Sequence, residues 1–138
     1  MIYGSDLIDV MFGDLNSGAV STQGAFASGD DVMFGYGDDD LMDGGAGNDF
    51  MDGGDDDDTL YGRSGDDKIF GQAGDDFIYG DGPDLIEFGD DKLYGGDGAD
   101  IIRASYGDDI IFGDAGNDVL FGEAGEDIIY GGSGADII

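Results

Sequence analysis

The stretch Gly113-Asp-Ala-Gly-Asn-Asp-Val-Leu-Phe121 decides the fold, because the same nine-residue pattern recurs from residue 35 to residue 138. Gly44-Gly-Ala-Gly-Asn-Asp-Phe-Met-Asp52 and Gly62-Arg-Ser-Gly-Asp-Asp-Lys-Ile-Phe70 are two further copies. The consensus is Gly-x-x-Gly-x-Asp-x-U-x, where U is a large aliphatic residue. Self-similarity at a short fixed period is typical of solenoids, in which each repeat forms one structural unit.

Two positions of the repeat keep their character throughout residues 31–138. Position six is always aspartate, and position eight is always a large aliphatic residue. Turn formation alone does not require aspartate at one fixed phase, so position six indicates a chemical role. The position-six residues are Asp31, Asp40, Asp49, Asp58, Asp67, Asp76, Asp84, Asp91, Asp100, Asp109, Asp118, Asp127 and Asp136. The position-eight residues are Met33, Met42, Met51, Leu60, Ile69, Ile78, Ile86, Leu93, Ile102, Ile111, Leu120, Ile129 and Ile138.

The pattern predicts an all-β fold, a parallel β-roll with two sheets of short strands. We expect Gly-x-x-Gly-x-Asp to form a turn, in which glycine adopts positive φ without steric cost. Asp38 and Asp56 replace the fourth-position glycine and belong to a residue type that tolerates the left-handed region. The remaining x-U-x forms a short strand that points U to one face. Consecutive strands lie on opposite sides, so two successive repeats complete one coil of the β-solenoid.

The chain is strongly acidic, with 34 Asp and Glu against 4 Lys and Arg and a net charge of −30. Such self-repulsion opposes a compact state, yet the hydrophobic content of 40% is too high for a disordered chain. Divalent cations are the simplest means of compaction. Nucleic acid and anionic membranes are disfavoured as partners because like charges repel, and no apolar run approaches the length of a membrane span.

The absence of His and Cys narrows the chemistry. Zinc, iron and copper lack their usual ligands, and neither a Ser-His nor a Cys-His nucleophile can form. Carboxylate pairs that could serve a glycosidase are already accounted for by the turns. We therefore expect no enzymatic activity and no catalytic residues.

The repeated Gly-Gly-x-Gly-x-Asp-x-U-x resembles the RTX family, the repeats-in-toxin proteins, over nearly the whole chain. The resemblance implies that position-six aspartates and loop carbonyls of neighbouring turns share Ca²⁺ ions. It also implies a chain that stays unfolded at low cytosolic calcium, leaves a bacterial cell by type I secretion and folds in external calcium. In this family catalysis lies in a separate domain. We therefore predict a non-catalytic, calcium-binding module that is secreted or held at the cell surface.

The resemblance assigns the calcium ligands residue by residue. Neighbouring aspartates of one edge would share an ion. With Asp91 counted on the second edge, the two edges have six and five neighbouring pairs, which allows at most eleven ions and brings +22 against the net charge of −30. The predicted ligands on one edge are Asp31, Asp49, Asp67, Asp84, Asp100, Asp118 and Asp136, and those on the other are Asp40, Asp58, Asp76, Asp109 and Asp127.

Two segments break the nine-residue period. Gly80-Asp-Gly-Pro-Asp-Leu-Ile-Glu87 has eight residues, and Phe88-Gly-Asp-Asp-Lys-Leu-Tyr94 has seven. We interpret both as repeats with shortened turns, and the proline also removes a backbone donor. The Asp91 turn, on the second edge, is therefore expected to bind calcium weakly or not at all, and Asp91 is not among the predicted ligands.

The N-terminal part is less regular. Asp9-Val-Met-Phe-Gly13 recurs as Asp31-Val-Met-Phe-Gly35, displaced along the chain by one coil plus an insertion of four. We interpret residues 14–25 as a degenerate repeat with a bulging loop.

The whole chain is predicted to form one continuous domain. Residues 1–34 would form irregular coils with an insertion near 14–25, and residues 35–138 would form the regular repeats. Asp6 could also serve as a position-six residue, so the register of residues 4–25 stays open.

The outward-facing ninth positions suggest an aromatic ladder on one sheet. Stacked cross-strand aromatic residues stabilise a sheet by roughly 0.2–1 kcal/mol per pair, whereas a large exposed apolar patch usually marks an interface. Internal stacking and a partner surface are both possible here. The ladder positions read Asp43, Tyr61, Tyr79, Tyr94, Phe112 and Tyr130, and those of the other sheet read Phe34, Asp52, Phe70, Glu87, Arg103 and Phe121.

The alternative function is a structural subunit of a calcium-dependent filament, surface layer or adhesin. Met1-Ile2-Tyr3 matches the strand phase of Ile129-Tyr130, and Ile137-Ile138 falls on the opposite sheet. A second copy could therefore continue the alternation of strands by pairing with unpaired backbone groups. A head-to-tail contact of this kind does not close on itself and yields a filament.

Overall fold

The structure, a computed structural model, describes residues 10–12, 29–82 and 88–138. Asp6, Asp84, residues 1–3 and the insertion near 14–25 lie outside these ranges. Within them the chain forms β-strands and no helix. The strands are β1 (Val10–Phe12), β2 (Val32–Tyr36), β3 (Leu41–Ala46), β4 (Phe50–Asp55), β5 (Thr59–Ser64), β6 (Lys68–Ala73), β7 (Phe77–Tyr79), β8 (Lys92–Asp97), β9 (Ile101–Tyr106), β10 (Ile110–Ala115), β11 (Val119–Ala124) and β12 (Ile128–Tyr130).

The strands form two parallel sheets. The seven-stranded sheet has the order β1-β2-β4-β6-β8-β10-β12, and the five-stranded sheet has the order β3-β5-β7-β9-β11. Every pairing between described strands is parallel. From β2 to β12 successive strands alternate between the sheets, so each coil contributes one strand to each sheet. This confirms the predicted parallel β-roll. The domain boundary at residues 34 and 35 stays a prediction.

Most strands are six residues long, twice the predicted length. Strand β5, for example, runs on through positions one to three of the next repeat. At position two Arg63 and Gln72 adopt positive φ, 88° and 86°, and pairing continues beyond the bend, with Gln72 opposite Gly96. The prediction that all six residues of Gly-x-x-Gly-x-Asp form a turn is therefore wrong, and the turn is reduced to positions four to six.

The position-eight side chains of both sheets meet in a thin core, as predicted. In β5 the alternation of the strand leaves Leu60 buried between the partly exposed Thr59 and Tyr61. Burying one large aliphatic side chain contributes roughly 1.5–3 kcal/mol, and a coil supplies only two, so stability depends on stacking many coils. The core consists of Met33, Met42, Met51, Leu60, Ile69, Ile78, Leu93, Ile102, Ile111 and Leu120, with Ala104 at a position usually held by glycine.

Neighbouring strands of one sheet are normally two repeats apart, as in Phe50 opposite Lys68. Strands β1 and β2 are separated by two repeats plus the insertion of four, with Val10 opposite Val32. The two Val-Met-Phe motifs therefore lie side by side in one sheet.

The interruption near residue 83 is one coil with six extra residues. Lys68 of β6 lies opposite Lys92 of β8, and Phe77 of β7 lies opposite Ile101 of β9, each at a separation of 24 rather than 18. The prediction of two shortened repeats is therefore wrong. Asp-Leu-Ile at 84–86 matches positions six to eight of a repeat in sequence, but β6 pairs directly with β8 and β7 with β9, so only one coil separates Lys68 from Lys92.

The predicted fold contains one half-coil more than the structure. Every residue after the interruption therefore lies in the sheet, and on the edge, opposite to the predicted one. The prediction of a single aromatic ladder on one sheet is wrong for this reason. Tyr61 and Tyr79 stack on the five-stranded sheet, 5.0 Å apart between ring centroids. The longer ladder lies on the seven-stranded sheet, with centroid separations of 4.6–5.0 Å, and consists of Phe70, Tyr94, Phe112 and Tyr130.

Candidate metal centres

Each turn consists of positions four to six. The aspartate at position six is buried from Asp31 to Asp118 in the described turns and half-buried at Asp127 and Asp136. Position four adopts positive φ in most of the described turns, for example 138° at Gly47. Where aspartate replaces this glycine, Asp38 and Asp56 adopt φ of 68° and 76°, as predicted. The bend at position four places the position-six side chain of the same turn beneath it. In the turn that begins at Asp56, for example, Asp58 is only 1% exposed.

The position-six aspartates of each edge are joined by a ladder of hydrogen bonds. The backbone N–H of Asp49 donates to Oδ1 of Asp67 in the next coil at 2.8 Å. The same bond recurs along both edges and forms two columns of carboxylates. One column contains Asp31, Asp49, Asp67, Asp91, Asp109 and Asp127, and the other contains Asp40, Asp58, Asp76, Asp100, Asp118 and Asp136.

The second carboxylate oxygen receives no such bond in most members of the columns. In eight aspartates Oδ2 is buried and accepts no hydrogen bond from any described residue. A buried ionised oxygen is very costly unless a cation or a hydrogen bond compensates for its lost hydration. The eight residues are Asp49, Asp58, Asp67, Asp76, Asp91, Asp100, Asp109 and Asp118.

Glycine at position one makes room for this oxygen. A side chain at Gly44 would collide with Oδ2 of Asp49, and it would also lie 2.8 Å from the carbonyl oxygen of Gly62 in the next coil. Carboxylate and carbonyl oxygens, both acceptors, therefore approach the same point. Ca²⁺ takes six to eight oxygen ligands of these two kinds at about 2.3–2.6 Å.

No three acidic side chains among the described residues converge closely enough to surround a metal ion. A cation between two turns would therefore draw its negative charge from adjacent aspartates of one column and its remaining ligands from carbonyls. A calcium ion accepts this mixture, whereas transition metals favour imidazole and thiolate ligands.

The sequence matches a family model for the RTX calcium-binding nonapeptide repeat over residues 27–51, 52–82, 87–105 and 103–138. The chain belongs to the RTX calcium-binding repeat family. RTX repeats bind Ca²⁺, so this β-roll is a structural, calcium-binding repeat module. Nothing among the curated proteins matches the chain, and no helix of the described residues is long and apolar enough to cross a membrane.

Burial changes the acidity of the RTX aspartates. Desolvation, reinforced by neighbouring carboxylates, raises the pKa of Asp67 to about 9 and that of Asp91 to about 8, although each accepts a backbone hydrogen bond that lowers it. The same causes raise the pKa of Asp58 to about 7. Without a cation, the folded state therefore disfavours ionised carboxylates at neutral pH, where they would be ionised in the unfolded chain.

A second ladder, which the sequence analysis missed, runs along the outside of each RTX turn. In this ladder the position-five side chain accepts a hydrogen bond from a backbone N–H of the next coil. In the columns, by contrast, the position-six side chain accepts its hydrogen bond from the preceding coil. The N–H of Asp75 donates to Oδ1 of Asp57 at 2.8 Å, and the N–H of Asp66 donates to Oδ1 of Asn48 at 3.0 Å. These side chains are exposed. The frequent occurrence of Asp and Asn at position five was the feature of the sequence that could have indicated this ladder.

The columns contain all but one of the predicted ligands. Asp84, predicted to follow Asp67 on its edge, lies outside the described residues, and the column continues instead from Asp67 to Asp91 and Asp109. The N–H of Asp67 donates to Oδ1 of Asp91 at 2.9 Å, and Asp91 is 1% exposed. The interpretation of the Asp91 turn as shortened is therefore wrong, because the extra residues precede the turn. From Asp91 onward, each aspartate lies on the edge opposite to the predicted one.

Proposed function

We propose that this RTX chain is an extracellular folding module, unfolded without calcium and driven into the β-roll when calcium binds along its two edges. The observation that carries the proposal is the row of buried Oδ2 atoms without hydrogen-bond donors. In the unfolded chain water solvates these oxygens. In the folded chain they need a positive charge, which the 4 basic residues cannot supply to 34 acidic ones.

We place one ion between each pair of adjacent aspartates in a column. The described columns contain ten such pairs, five on each edge. Ten dications would bring +20 against the net charge of −30, enough to remove most of the self-repulsion that opposes folding. Asp91 joins the proposed ligands, and Asp84 stays a prediction.

The chain itself prepares each site. The inter-coil N–H bond fixes Oδ1, as from Asp40 to Asp58 at 2.8 Å, and so orients Oδ2 toward position one. The missing side chain there leaves space at Gly53 beside Oδ2 of Asp58. Because each site needs two turns, loading the sites is coupled to stacking the coils, and folding should be cooperative along the axis.

Secretion fits this behaviour. RTX repeats typically occur in secreted proteins. A chain held unfolded by its own charge at low cytosolic calcium can pass through a type I export channel, and it would fold only on reaching calcium outside the cell. We place catalysis, if the parent protein has any, outside these repeats.

Circular dichroism tests the proposal. We expect a largely disordered spectrum in excess chelator and a β-sheet spectrum after calcium is restored, with magnesium at the same concentration as the control for ionic strength. A strong β signal that persists in excess chelator would contradict it.

Assembly of many copies into a filament, surface layer or adhesin is a second candidate. The aromatic side of the seven-stranded sheet favours it, because Phe112 and Tyr130 stack at 4.9 Å and Tyr130 is 54% exposed. The proposed partner is a second copy of the chain. Light scattering in saturating calcium tests this, and particles of one chain at high protein concentration would exclude it.

A further inference from the structure

Asp81 lies where the regular coil is interrupted. It follows β7 and occupies position two of its repeat, next to Gly80 at position one. The equivalent aspartate on the other edge, Asp114, is exposed, whereas Asp81 is 1% exposed. The interruption therefore carries an additional carboxylate into the interior of the protein.

Backbone contacts hold Asp81 against the next coil. The N–H of Tyr106 donates to Oδ2 of Asp81 at 2.8 Å, and the N–H of Asp81 donates to the carbonyl oxygen of Ala104 at 3.2 Å. Tyr106, at position three of its repeat, directly precedes the turn that buries Asp109. The carboxylate of Asp81 is therefore fixed beside the first column and not merely carried near it by a loop.

Gly80 connects Asp81 to two buried oxygens of that column. A side chain built at Gly62 would meet both Oδ2 of Asp67 and the carbonyl oxygen of Gly80. A side chain built at Gly80 would meet Oδ2 of Asp91. Both Oδ2 atoms are buried and accept no hydrogen bond from a described residue. The residue before Asp81 thus borders the space where two consecutive column members present their unsatisfied oxygens.

The electrostatics agree with this position. Asp81 lies close enough to three consecutive column members, Asp67, Asp91 and Asp109, for its charge to act on each of them. Buried negative charge is therefore concentrated at this point of the column.

We propose that Asp81 makes the calcium site between the Asp67 and Asp91 turns the tightest of the chain. This inference rests on the proposed function. Calcium affinity rises with the number of negative charges around the ion, and a regular site has two carboxylates. Because no three acidic side chains of the described chain surround one point, Asp81 acts from beside the ligands, through its buried charge and through its bond to Tyr106. A tight site here would lock the coil that carries the extra residues.

Calcium titrations of two matched variants test the inference. Asp81→Asn keeps an oxygen that can accept the Tyr106 N–H but removes the charge, and Asp114→Asn removes a charge from the same repeat position on the other edge. Isothermal calorimetry with Ca²⁺ alone should show the tightest binding step weakened about 10- to 100-fold in Asp81→Asn. It should be changed less than about threefold in Asp114→Asn. Equal titrations for the two variants would overturn the inference.

A third variant covers a folding failure. If Asp81→Asn stays unfolded in saturating calcium, Asp81→Glu, which keeps the charge, should restore folding. If Asp81→Glu also fails, the role of Asp81 is packing and the inference is wrong. The proposed function fails separately, since in that case the unaltered chain would bind no calcium at all.

Discussion

Asp57 and Asp58 are adjacent in the sequence but differ in what the fold does with them. Asp58 is buried under the turn, with Oδ1 bonded to the Asp40 N–H and Oδ2 without a donor. Asp57 is exposed, and its Oδ1 accepts the Asp75 N–H. Burial raises the pKa of Asp58 to about 7. The same residue type therefore serves in the inner column as a source of unsatisfied charge and in the outer ladder as a hydrogen-bond acceptor.

The difference shows why the chain contains so many aspartates. In the inner column the proposed calcium binding requires the charge itself, and position six does not vary over residues 31–138. In the outer ladder only an oxygen is needed, so Asn48 and Asn117 serve as well, with Asn117 accepting the Ala135 N–H at 2.9 Å. At residue 99 position five is Ala, which has no side-chain acceptor, but its backbone N–H still donates to Oδ1 of Asp75.

Substituting the two neighbours should give the largest contrast. Asp58→Asn replaces Oδ2 by an amide donor in a space lined by acceptors, so we expect apparent calcium affinity to fall at least about tenfold. Asp57→Asn keeps its acceptor on the surface and should change affinity less than about threefold. Calcium titration followed by circular dichroism measures both. Equal losses in the two variants would refute the assignment of inner and outer roles.

The inner column should make the stability of the fold depend on pH. A carboxylate with a raised folded pKa stabilises the calcium-free fold fully below its unfolded pKa, about 4, and this contribution is lost as pH rises through the folded value. The folded pKa is about 9 for Asp67 and about 7 for Asp58. Acidification should therefore favour structure in chelator.

Calcium binding should respond to pH in the opposite direction. The ion competes with protons for these carboxylates, so the calcium midpoint should rise as pH falls from about 9 to about 6, the range of the raised pKa values. Titrations at both pH values measure it, and a midpoint independent of pH would contradict the burial of the inner column.

The outer ladder should give the smallest effects. Asp75 accepts the Ala99 N–H at 2.8 Å. Asp75→Asn keeps this acceptor and should leave the free energy of unfolding in saturating calcium nearly unchanged, whereas Asp75→Ala removes it and should cost about 0.5–1.5 kcal/mol. Urea unfolding distinguishes the two. A larger loss in Asp75→Asn would mean that the outer ladder also depends on charge.

Much of the fold and of the site followed from the sequence, because the repeat fixes which residues are buried. Position eight defined the core, and position six defined members of the two columns such as Asp49 and Asp118. Asp38 and Asp56 were correctly expected at positive φ. These features depend on local chemistry, which a nine-residue pattern expresses completely.

The features that the sequence did not predict depend on counting coils and on backbone pairing. Asp84-Leu-Ile satisfies the pattern of positions six to eight, and only the pairing of Lys68 with Lys92 reveals that it does not add a half-coil. A single error of this kind exchanges the edges and sheets of all later residues, including Asp91. The longer strands escaped prediction because Arg63 and Gln72 adopt positive φ although neither is glycine.

The number of bound ions tests the central claim most directly. Native mass spectrometry of the calcium-loaded chain should show cooperative loading to about ten ions, one for each adjacent pair of aspartates in the two described columns. A folded chain that carries only one or two ions would contradict it, because the remaining buried carboxylate oxygens would then be stable without a cation.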